Sequence, residues 1–246
     1  MAALTGPRGA ALVTGAARRI GRVLALCCAE AGYDVALHCR AIDDDAESVA
    51  AEIRALGRRA ALFTRDLRKE SETAPLVGEA EAELGPVNLL VNSASVFEDD
   101  AFASMNRQSW DLHMETNLRG PLVLSQAFAR RITGQRQGLI VNILDQRVLR
   151  TQPAFFSYSL SKAALWEATR MMALALAPRV RVNGIGPGPV LPSIHQTPDD
   201  FAQEAASTPL ARAVDPREIA QALRYLIDAP SVTGQMIAID SGQHLA

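Results

Sequence analysis

A tyrosine and a lysine four residues apart form the clearest pair of groups in the sequence that could move a proton. In Tyr158-Ser159-Leu160-Ser161-Lys162, helical spacing puts the phenol and the ammonium on one face, about one turn apart. A neighbouring cation favours the phenolate, which lowers the pKa of a tyrosine toward the range useful for proton transfer. Such a pair also occurs on protein surfaces, so its meaning depends on what the rest of the chain places around it.

A glycine turn near the start of the chain has the features of a phosphate site. The apolar run Ala10–Thr14 predicts a buried strand, and the sequence TGAARRIG at residues 14–21 leads from it into a helix. Backbone N–H groups at such a helix start attract a pyrophosphate. The turn residues expected to contact a dinucleotide are Gly15, Arg18, Arg19, Ile20 and Gly21.

The choice between NAD and NADP depends on the end of the second predicted strand. Enzymes that use NAD place an acid there to bind the ribose hydroxyls, whereas this chain has His38 and then Arg40. Arg40 and Arg18 could converge on a 2′-phosphate, which favours NADPH/NADP+ as the cofactor. The competing interpretation is that Asp43 or Asp44 reaches back to the ribose and restores a preference for NAD.

Two further residues follow the third predicted strand. We expect Asp66, with Leu67 beside it, to meet the adenine end of the cofactor. Asp66 could equally cap the helix that follows.

The alternation of element types predicts the fold. Short runs rich in Val, Ile and Leu alternate with longer amphipathic stretches, a pattern typical of β-α repeats around a buried parallel sheet. The predicted strands are Ala10–Thr14, Asp34–His38, Arg59–Thr64, Val87–Asn92, Gly138–Ile143, Arg181–Ile185 and Met236–Ile239. The predicted helices lie near residues 20–31, 44–56, 70–84, 106–132, 157–177 and 216–228. We therefore expect an α/β fold, a single Rossmann-type doubly wound parallel sheet of about seven strands with helices on both faces.

The expected domain organisation is one reductase domain over residues 1–246. The segment Gly186–Val214 is rich in proline and has no clear period, which is typical of a lid over a binding site.

Composition excludes several classes of protein and partner. The chain has 246 residues, 48% of them hydrophobic, with a net charge of −2 and no dense basic face, so nucleic acid is not an expected partner. Three cysteines without CxxC spacing and four scattered histidines suggest neither a disulfide nor a metal site. No apolar run is long enough for a signal peptide or a membrane span. We expect a cytoplasmic protein with a small-molecule substrate and no membrane association.

Further short motifs connect these features to a known family. Asn92-Ser93-Ala94-Ser95 follows the fourth strand, Asn117 lies in a predicted helix, and Pro187-Gly188 follows the sixth strand. Together with the glycine turn and the Tyr-Lys pair, these motifs resemble those of the short-chain dehydrogenase/reductase family over essentially the whole chain, from residue 12 to residue 242.

The resemblance implies a role for each matching residue. Tyr158 would be the acid/base, Lys162 would lower its pKa and hold the nicotinamide ribose, and Asn117 would support a proton relay. The family is usually tetrameric, so a homotetramer is expected. The resemblance also implies cofactor contacts from Asn92, Ala94, Pro187, Gly188 and Val190.

Two positions depart from the usual family pattern. Asp145 stands thirteen residues before Tyr158, where the family usually has a serine, and Arg19 stands where the glycine turn usually has its middle glycine. A serine hydroxyl can donate to a developing alkoxide, whereas an ionised carboxylate only accepts and repels that charge. Ordinary ketone reduction is therefore disfavoured.

The same departures, with Phe97, resemble the pteridine reductase branch of the family, which includes bacterial dihydromonapterin reductases. That branch reduces a dihydropterin such as dihydromonapterin, dihydrobiopterin or a dihydrofolate-like ring, and an aromatic residue holds the pterin against the nicotinamide. The residues expected to contact the substrate are then Arg19, Ser95, Phe97, Asp145 and Tyr158.

Alternatives remain open from the sequence. Phe97 could be ordinary core, and Asp145 could form a salt bridge with Arg147 or Arg150. The whole protein could instead be a carbonyl or 3-oxoacyl reductase, or a dinucleotide-binding protein without turnover. The lid has no recognisable code for the side chain of a pterin.

Overall fold

A seven-stranded parallel sheet forms the centre of the protein in the computed structural model, which describes residues 8–246. Its order is β3-β2-β1-β4-β5-β6-β7, and every neighbouring pair is parallel. This confirms the expected Rossmann-type sheet. The strands are Ala10–Thr14 (β1), Asp34–Cys39 (β2), Ala60–Thr64 (β3), Val87–Asn92 (β4), Gly138–Ile143 (β5), Val180–Pro187 (β6) and Met236–Ile239 (β7).

Helices cover both faces of this sheet, as a parallel sheet requires. They are Arg19–Glu30 (α1), Asp44–Ala55 (α2), Glu70–Thr73 (α3), Leu76–Leu84 (α4), Arg107–His113 (α5), Gly120–Arg131 (α6), Phe156–Leu176 (α7), Pro198–Ser207 (α8) and Pro216–Asp228 (α9). A π-helical turn, Met114–Arg119, joins α5 to α6, and short 3-10 turns lie at Gln146–Val148 and Gln243–Leu245.

The alternation of side chains along β1 builds two hydrophobic cores. Ala11 and Val13 pack into the core under α1, α2 and α9, while Ala10 and Leu12 pack into the core under α4, α6 and α7. Each face of the sheet therefore buries aliphatic side chains, in keeping with the low aromatic content of the sequence.

Three elements differ from the sequence-based expectation. The predicted helix over 106–132 contains the π-helical turn, and the predicted helix over 70–84 divides into α3 and α4 around Pro75. The segment 186–214, expected to be irregular, contains α8, which Thr197 and Asp200 begin with a capping box. Within residues 8–246, no helix is both long and apolar enough to span a membrane.

Candidate active site

A cleft of about 1090 Å³ opens along the edge of the sheet where the strands end. Ligands of open α/β folds bind outside this edge, because the loops that follow the strands converge there. The predicted site residues that line the cleft are Gly15, Arg18, Arg19, Ile20, Gly21, His38, Arg40, Asp66, Leu67, Ala94, Ser95, Phe97, Asp145, Tyr158, Lys162, Pro187, Gly188 and Val190. Only Asn92 and Asn117, of those predicted, do not line it.

The glycine turn leaves no room for side chains where a phosphate would approach. Gly15 has a φ of +66°, and a Cβ atom there would lie 2.9 Å from the Cα atom of Ala94. A Cβ atom on Gly21 would lie 2.0 Å from the carbonyl oxygen of Gly15. The backbone therefore packs closely at the start of α1, whose free N–H groups suit the pyrophosphate of a dinucleotide.

The two arginines predicted to bind a 2′-phosphate differ in their surroundings. Arg18 forms ion pairs with Asp43 at 2.7 Å and with Asp45 at 2.5 Å, whereas Arg40 is exposed in the cleft. Within the described part of the chain, the Arg40 side chain has no hydrogen bond or ion pair. Asp43 also caps α2 by accepting from the N–H of Ala46, so both of its oxygens are engaged. The arrangement leaves Arg40, more than Arg18, available to a bound anion.

His38 and Asp66 are both held by local hydrogen bonds. The Nε2 atom of His38 lies 2.9 Å from the carbonyl oxygen of Arg65, and its Nδ1 atom accepts from the N–H of Gly15 at 3.4 Å. Burial lowers the pKa of His38, which keeps the ring neutral beside the turn. Asp66 accepts hydrogen bonds from the Arg68 guanidinium, which lower its pKa to about 2. The carboxylate of Asp66 therefore stays ionised in this structure.

Arg19 joins the glycine turn to the predicted lid. Its guanidinium donates to the carbonyl oxygens of Leu191 at 3.1 Å and Pro192 at 2.9 Å. Its φ is +52°, a conformation that a glycine adopts without strain and an arginine rarely adopts. The residue lines the cleft, but in this structure its charge is directed at the lid backbone.

Asp145 and Tyr158 lie in direct contact with each other in the lining of the cleft. The Tyr158 hydroxyl donates to Oδ2 of Asp145 at 2.7 Å, and Oδ1 of Asp145 accepts from the backbone N–H of Arg147 at 2.8 Å. Within residues 8–246, Asp145 has no ion pair with Arg147 or Arg150, so its carboxylate is committed to the tyrosine. Burial raises the pKa of Asp145, and burial together with the carboxylate raises the pKa of Tyr158.

Lys162 lies one helical turn from Tyr158, as its spacing predicts. Its Nζ atom is buried and donates to the carbonyl oxygen of Ile143 at 2.8 Å, and burial lowers its pKa to about 8. That Lys162 lowers the pKa of Tyr158 stays a prediction, because the net shift of that pKa in this structure has other causes. The shift is upward, because burial and the neighbouring Asp145 outweigh any nearby cation, so the phenol keeps its proton.

Asn117 lies behind the cleft, in the π-helical turn. Its Oδ1 atom accepts from the N–H of Val96 at 2.8 Å and from the hydroxyl of Ser95, while its Nδ2 atom donates to Ser161 at 3.2 Å. Asn117 therefore ties the loop after β4 to helix α7, which bears Tyr158. Single π-helical turns occur often at functional sites.

Asn92 does not lie at the cofactor cleft, where the resemblance implied a contact with the cofactor. Its side chain is buried and donates to Oδ1 of Asn142 at 2.8 Å, beneath the cleft floor. The structure thus places Asn92 in the core between β4 and β5, and Ala94 rather than Asn92 lines the cleft.

Phe97 forms an aromatic wall with a partner that sequence reasoning missed. Its ring stacks on that of Phe155, with centroids 4.1 Å apart, and meets the ring of Tyr158 edge-on at 4.7 Å. Both phenylalanines line the cleft, so Phe97 is not ordinary core. Phe155 has a φ of +54°, and no local sequence signal announces this conformation. Its position three residues before Tyr158, immediately before α7 begins, is the one sequence clue to its place in the site.

A model of the short chain dehydrogenase family matches residues 9–201. The chain belongs to this family. The 3-oxoacyl-[acyl-carrier-protein] reductase FabG of Staphylococcus epidermidis is 32% identical over 240 residues, which cover 96% of this chain and 98% of that relative.

Two solved structures of the family are more similar. FolM alternative dihydrofolate reductase 1 from Brucella canis, complexed with NADP, is 44% identical with a TM-score of 0.94, covering 100% of this chain and 97% of its own. The protein of the same name from Brucella suis, also in complex with NADP, is 44% identical with a TM-score of 0.93, covering 97% of this chain and 96% of its own. This chain is therefore a short-chain oxidoreductase whose relatives act on more than one class of substrate.

A buried polar network supports the helix on which this oxidoreductase places its tyrosine. Asp100 accepts from both the N–H and the hydroxyl of Ser157, and Nδ1 of His113 lies 2.7 Å from the same hydroxyl. Nε2 of His113 accepts from the N–H of Glu98, so Nδ1 has the proton that Ser157 accepts. The network fastens the loop after β4, with Phe97, to the first turn of α7.

We expect Ser157→Ala to lower the free energy of unfolding by about 1–3 kcal/mol, because it leaves buried groups of His113 and Asp100 without a partner. Thermal or denaturant unfolding measures the change. Ser159→Ala is the matched control, because the buried Ser159 hydroxyl has no hydrogen-bond partner within the described chain. Equal stability of the two variants would contradict a structural role for the network.

Proposed function

We propose that this protein is an NADPH-dependent reductase of a dihydropterin, in which a hydride reaches a ring carbon and Tyr158 supplies the proton to the ring nitrogen. The observation that supports it most strongly is the 2.7 Å hydrogen bond between Tyr158 and Asp145, at the position where the family usually has a serine. The names of the two FolM structures, at 44% identity, agree with a pterin substrate.

The proton steps follow from the surroundings of these two side chains. NADPH supplies the hydride when it is bound. Tyr158 has a raised pKa and holds its proton until the substrate nitrogen becomes basic. Asp145, whose pKa burial also raises, would then take up a proton from the solvent and pass it to the phenolate across the same hydrogen bond. A static oxyanion donor could not perform that second transfer.

Residues of this chain would also bind the cofactor and the pterin. The glycine turn would bind the pyrophosphate, Lys162 the nicotinamide ribose, and the ring of Phe97 the flat face of the pterin. The segment 186–214 supplies further lining residues and would cover the substrate as a lid. Asn117 would act by positioning Ser95 and the loop around it, since its side chain does not reach the cleft.

A second candidate is reduction of a ketone, and the sequence relatives named as 3-oxoacyl reductases favour it. Against it stands the carboxylate of Asp145, which would repel the alkoxide that forms when a carbonyl accepts a hydride. The choice between the two candidate reactions therefore depends on one side chain of the active site, that of Asp145.

The deciding experiment is NADPH consumption measured in parallel with dihydropterins, dihydrofolate, a 3-oxoacyl thioester and a reactive ketone. We expect turnover with the pterins and inhibition of it by aminopterin, a planar diaminopteridine that a ketone site has no reason to bind. Turnover confined to the thioester or the ketone, without inhibition by aminopterin, would refute the proposal.

For the cofactor, we expect Arg40→Ala to weaken NADPH by about 1.5–3 kcal/mol, the contribution of a charge-assisted hydrogen bond, and to leave NADH almost unchanged. Arg18→Ala should have a smaller effect, because Asp43 and Asp45 already neutralise that guanidinium. Fluorescence titration of both variants with both cofactors measures the difference. Equal weakening of NADPH and NADH by Arg40→Ala would remove Arg40 from the 2′-phosphate site.

We also propose that the protein is a cytoplasmic homotetramer. Met171 and Leu174 on α7 are 63% and 84% exposed, and such apolar side chains suit a helix that packs against a second copy of the chain.

A further inference from the structure

Arg147 occupies the wall of the cleft two residues beyond Asp145, in the 3-10 turn Gln146–Val148. The centre of its guanidinium lies 4.9 Å from the ring centroid of Phe155 and 5.6 Å from that of Phe97. Its charged group thus lies beside the stacked aromatic pair, within the range of cation–π attraction. Neither the motifs of the sequence nor the proton steps proposed above give this side chain a role.

In the described part of the chain, the guanidinium of Arg147 contacts aromatic rings but forms no hydrogen bond or ion pair. Its Nη1 atom is fully buried, yet it donates no hydrogen bond, and the side chain forms no ion pair. Arg65 and Arg136 are also partly buried, and both are paired with glutamates. A buried charged donor without a partner is costly, and such atoms in native proteins commonly face a ligand or an ordered water.

The nearest carboxylate cannot satisfy this donor. Both oxygens of Asp145 are engaged, one by the Tyr158 hydroxyl and the other by the backbone N–H of Arg147 itself. Arg147 also lines the cleft, where a ligand would lie against Phe97 and Phe155.

We propose that Arg147 binds an acidic group on the substituent of the pterin, so that the protein selects pterins with a carboxylate-bearing tail, of the dihydrofolate type. This inference rests on the proposed pterin reduction. A guanidinium fork matches the two oxygens of a carboxylate, which a polyol tail cannot offer. The aminobenzoyl ring of such a tail also suits a wall made of two phenylalanines.

Binding to the protein loaded with NADP+ tests the proposal without turnover. The probes are aminopterin, which has a glutamate tail, and 2,4-diamino-6-hydroxymethylpteridine, which has the same ring system without that tail. Calorimetry should show that Arg147→Gln raises the Kd of aminopterin about 10- to 100-fold more than the Kd of the tail-less probe. Arg147→Lys should restore part of the difference, because it restores the charge without the fork.

Arg150→Gln is the matched control, since it removes the same charge from an exposed position outside the cleft lining. We expect it to leave both Kd values unchanged. Equal weakening of the two probes by Arg147→Gln would mean that Arg147 acts only through the charge of Asp145, and the inference would be overturned. It would also be overturned if the wild-type protein bound aminopterin no more tightly than the tail-less probe.

Steady-state kinetics separate this inference from the proposed function. Arg147→Gln should raise the KM ratio of dihydrofolate to dihydrobiopterin about 10- to 100-fold, and an unchanged ratio would count against the inference. If the wild-type protein binds both probes and Arg147 discriminates between them, but neither dihydropterin is reduced, the proposed reaction fails while the acid-binding role of Arg147 is upheld.

Discussion

Tyr158→Phe is expected to lower kcat for dihydropterin reduction by about 10²–10⁴-fold, the usual contribution of a positioned general acid. The affinity for NADPH should stay within a few-fold of wild type, because the lost hydroxyl contacts Asp145 and takes part in the proton step alone. Stopped-flow measurement of a single turnover, with a separate titration of NADPH, distinguishes the two effects.

The control for this variant is Tyr225→Phe, which removes a phenol hydroxyl from a residue that is 56% exposed on α9. That change should leave kcat and the unfolding temperature unaltered. If Tyr158→Phe retained most of its rate, another group would have to donate the proton, and the proposed mechanism would fail.

The sheet was predictable because buried parallel strands leave a strong signal. Every predicted strand lies within about two residues of an observed one at each end, since runs such as Leu89–Val91 are apolar on both faces and glycine or proline closes the connections. The glycine turn was equally predictable from the sequence. Gly15 and Gly21 stand where the backbone approaches too closely for a Cβ atom.

Helix α8 was missed although its start signal was present. Thr197-Pro198-Asp199-Asp200 is a capping box with proline in the first turn, but five prolines across 186–214 masked a ten-residue helix. The positions of the prolines, more than their number, decide whether a helix can form. Proline suits the first turn of a helix, whereas it breaks or kinks the interior.

Residue spacing along the chain could not predict contacts between side chains that are far apart in the sequence. Arg18 was expected to meet a phosphate, yet Asp43 and Asp45 reach it from the start of α2, and nothing in either segment specifies that pairing. Phe155 and Arg147 likewise come together with Phe97 only through the folded loops. The sequence was sufficient to identify Tyr158 and Asp145 as site residues. The direct hydrogen bond between them depends on how β5 and α7 pack.

Asp145→Ser is expected to lower kcat/KM for a dihydropterin by up to about 10²–10⁴-fold, because the serine hydroxyl cannot return a proton to the Tyr158 phenolate. Reduction of a reactive diketone should not fall in parallel. It should rise if anything, since a hydroxyl donates to a developing alkoxide that the carboxylate repels. Measurement of kcat/KM on one substrate of each class, alongside the unfolding temperature, reports both effects.

Asp145→Asn completes the test, because it keeps the shape of the side chain while it removes the negative charge and the ability to hold and release a proton. Loss of pterin reduction in both variants, at an unchanged unfolding temperature, would be consistent with a proton-transferring carboxyl. A purely structural carboxylate predicts the opposite pattern. It would give similar damage on pterin and diketone together with a lower unfolding temperature, because Oδ1 also fastens the turn that begins at Gln146 through the N–H of Arg147. That outcome would remove Asp145 from the proton path and leave the ketone reductase as the better account of the site.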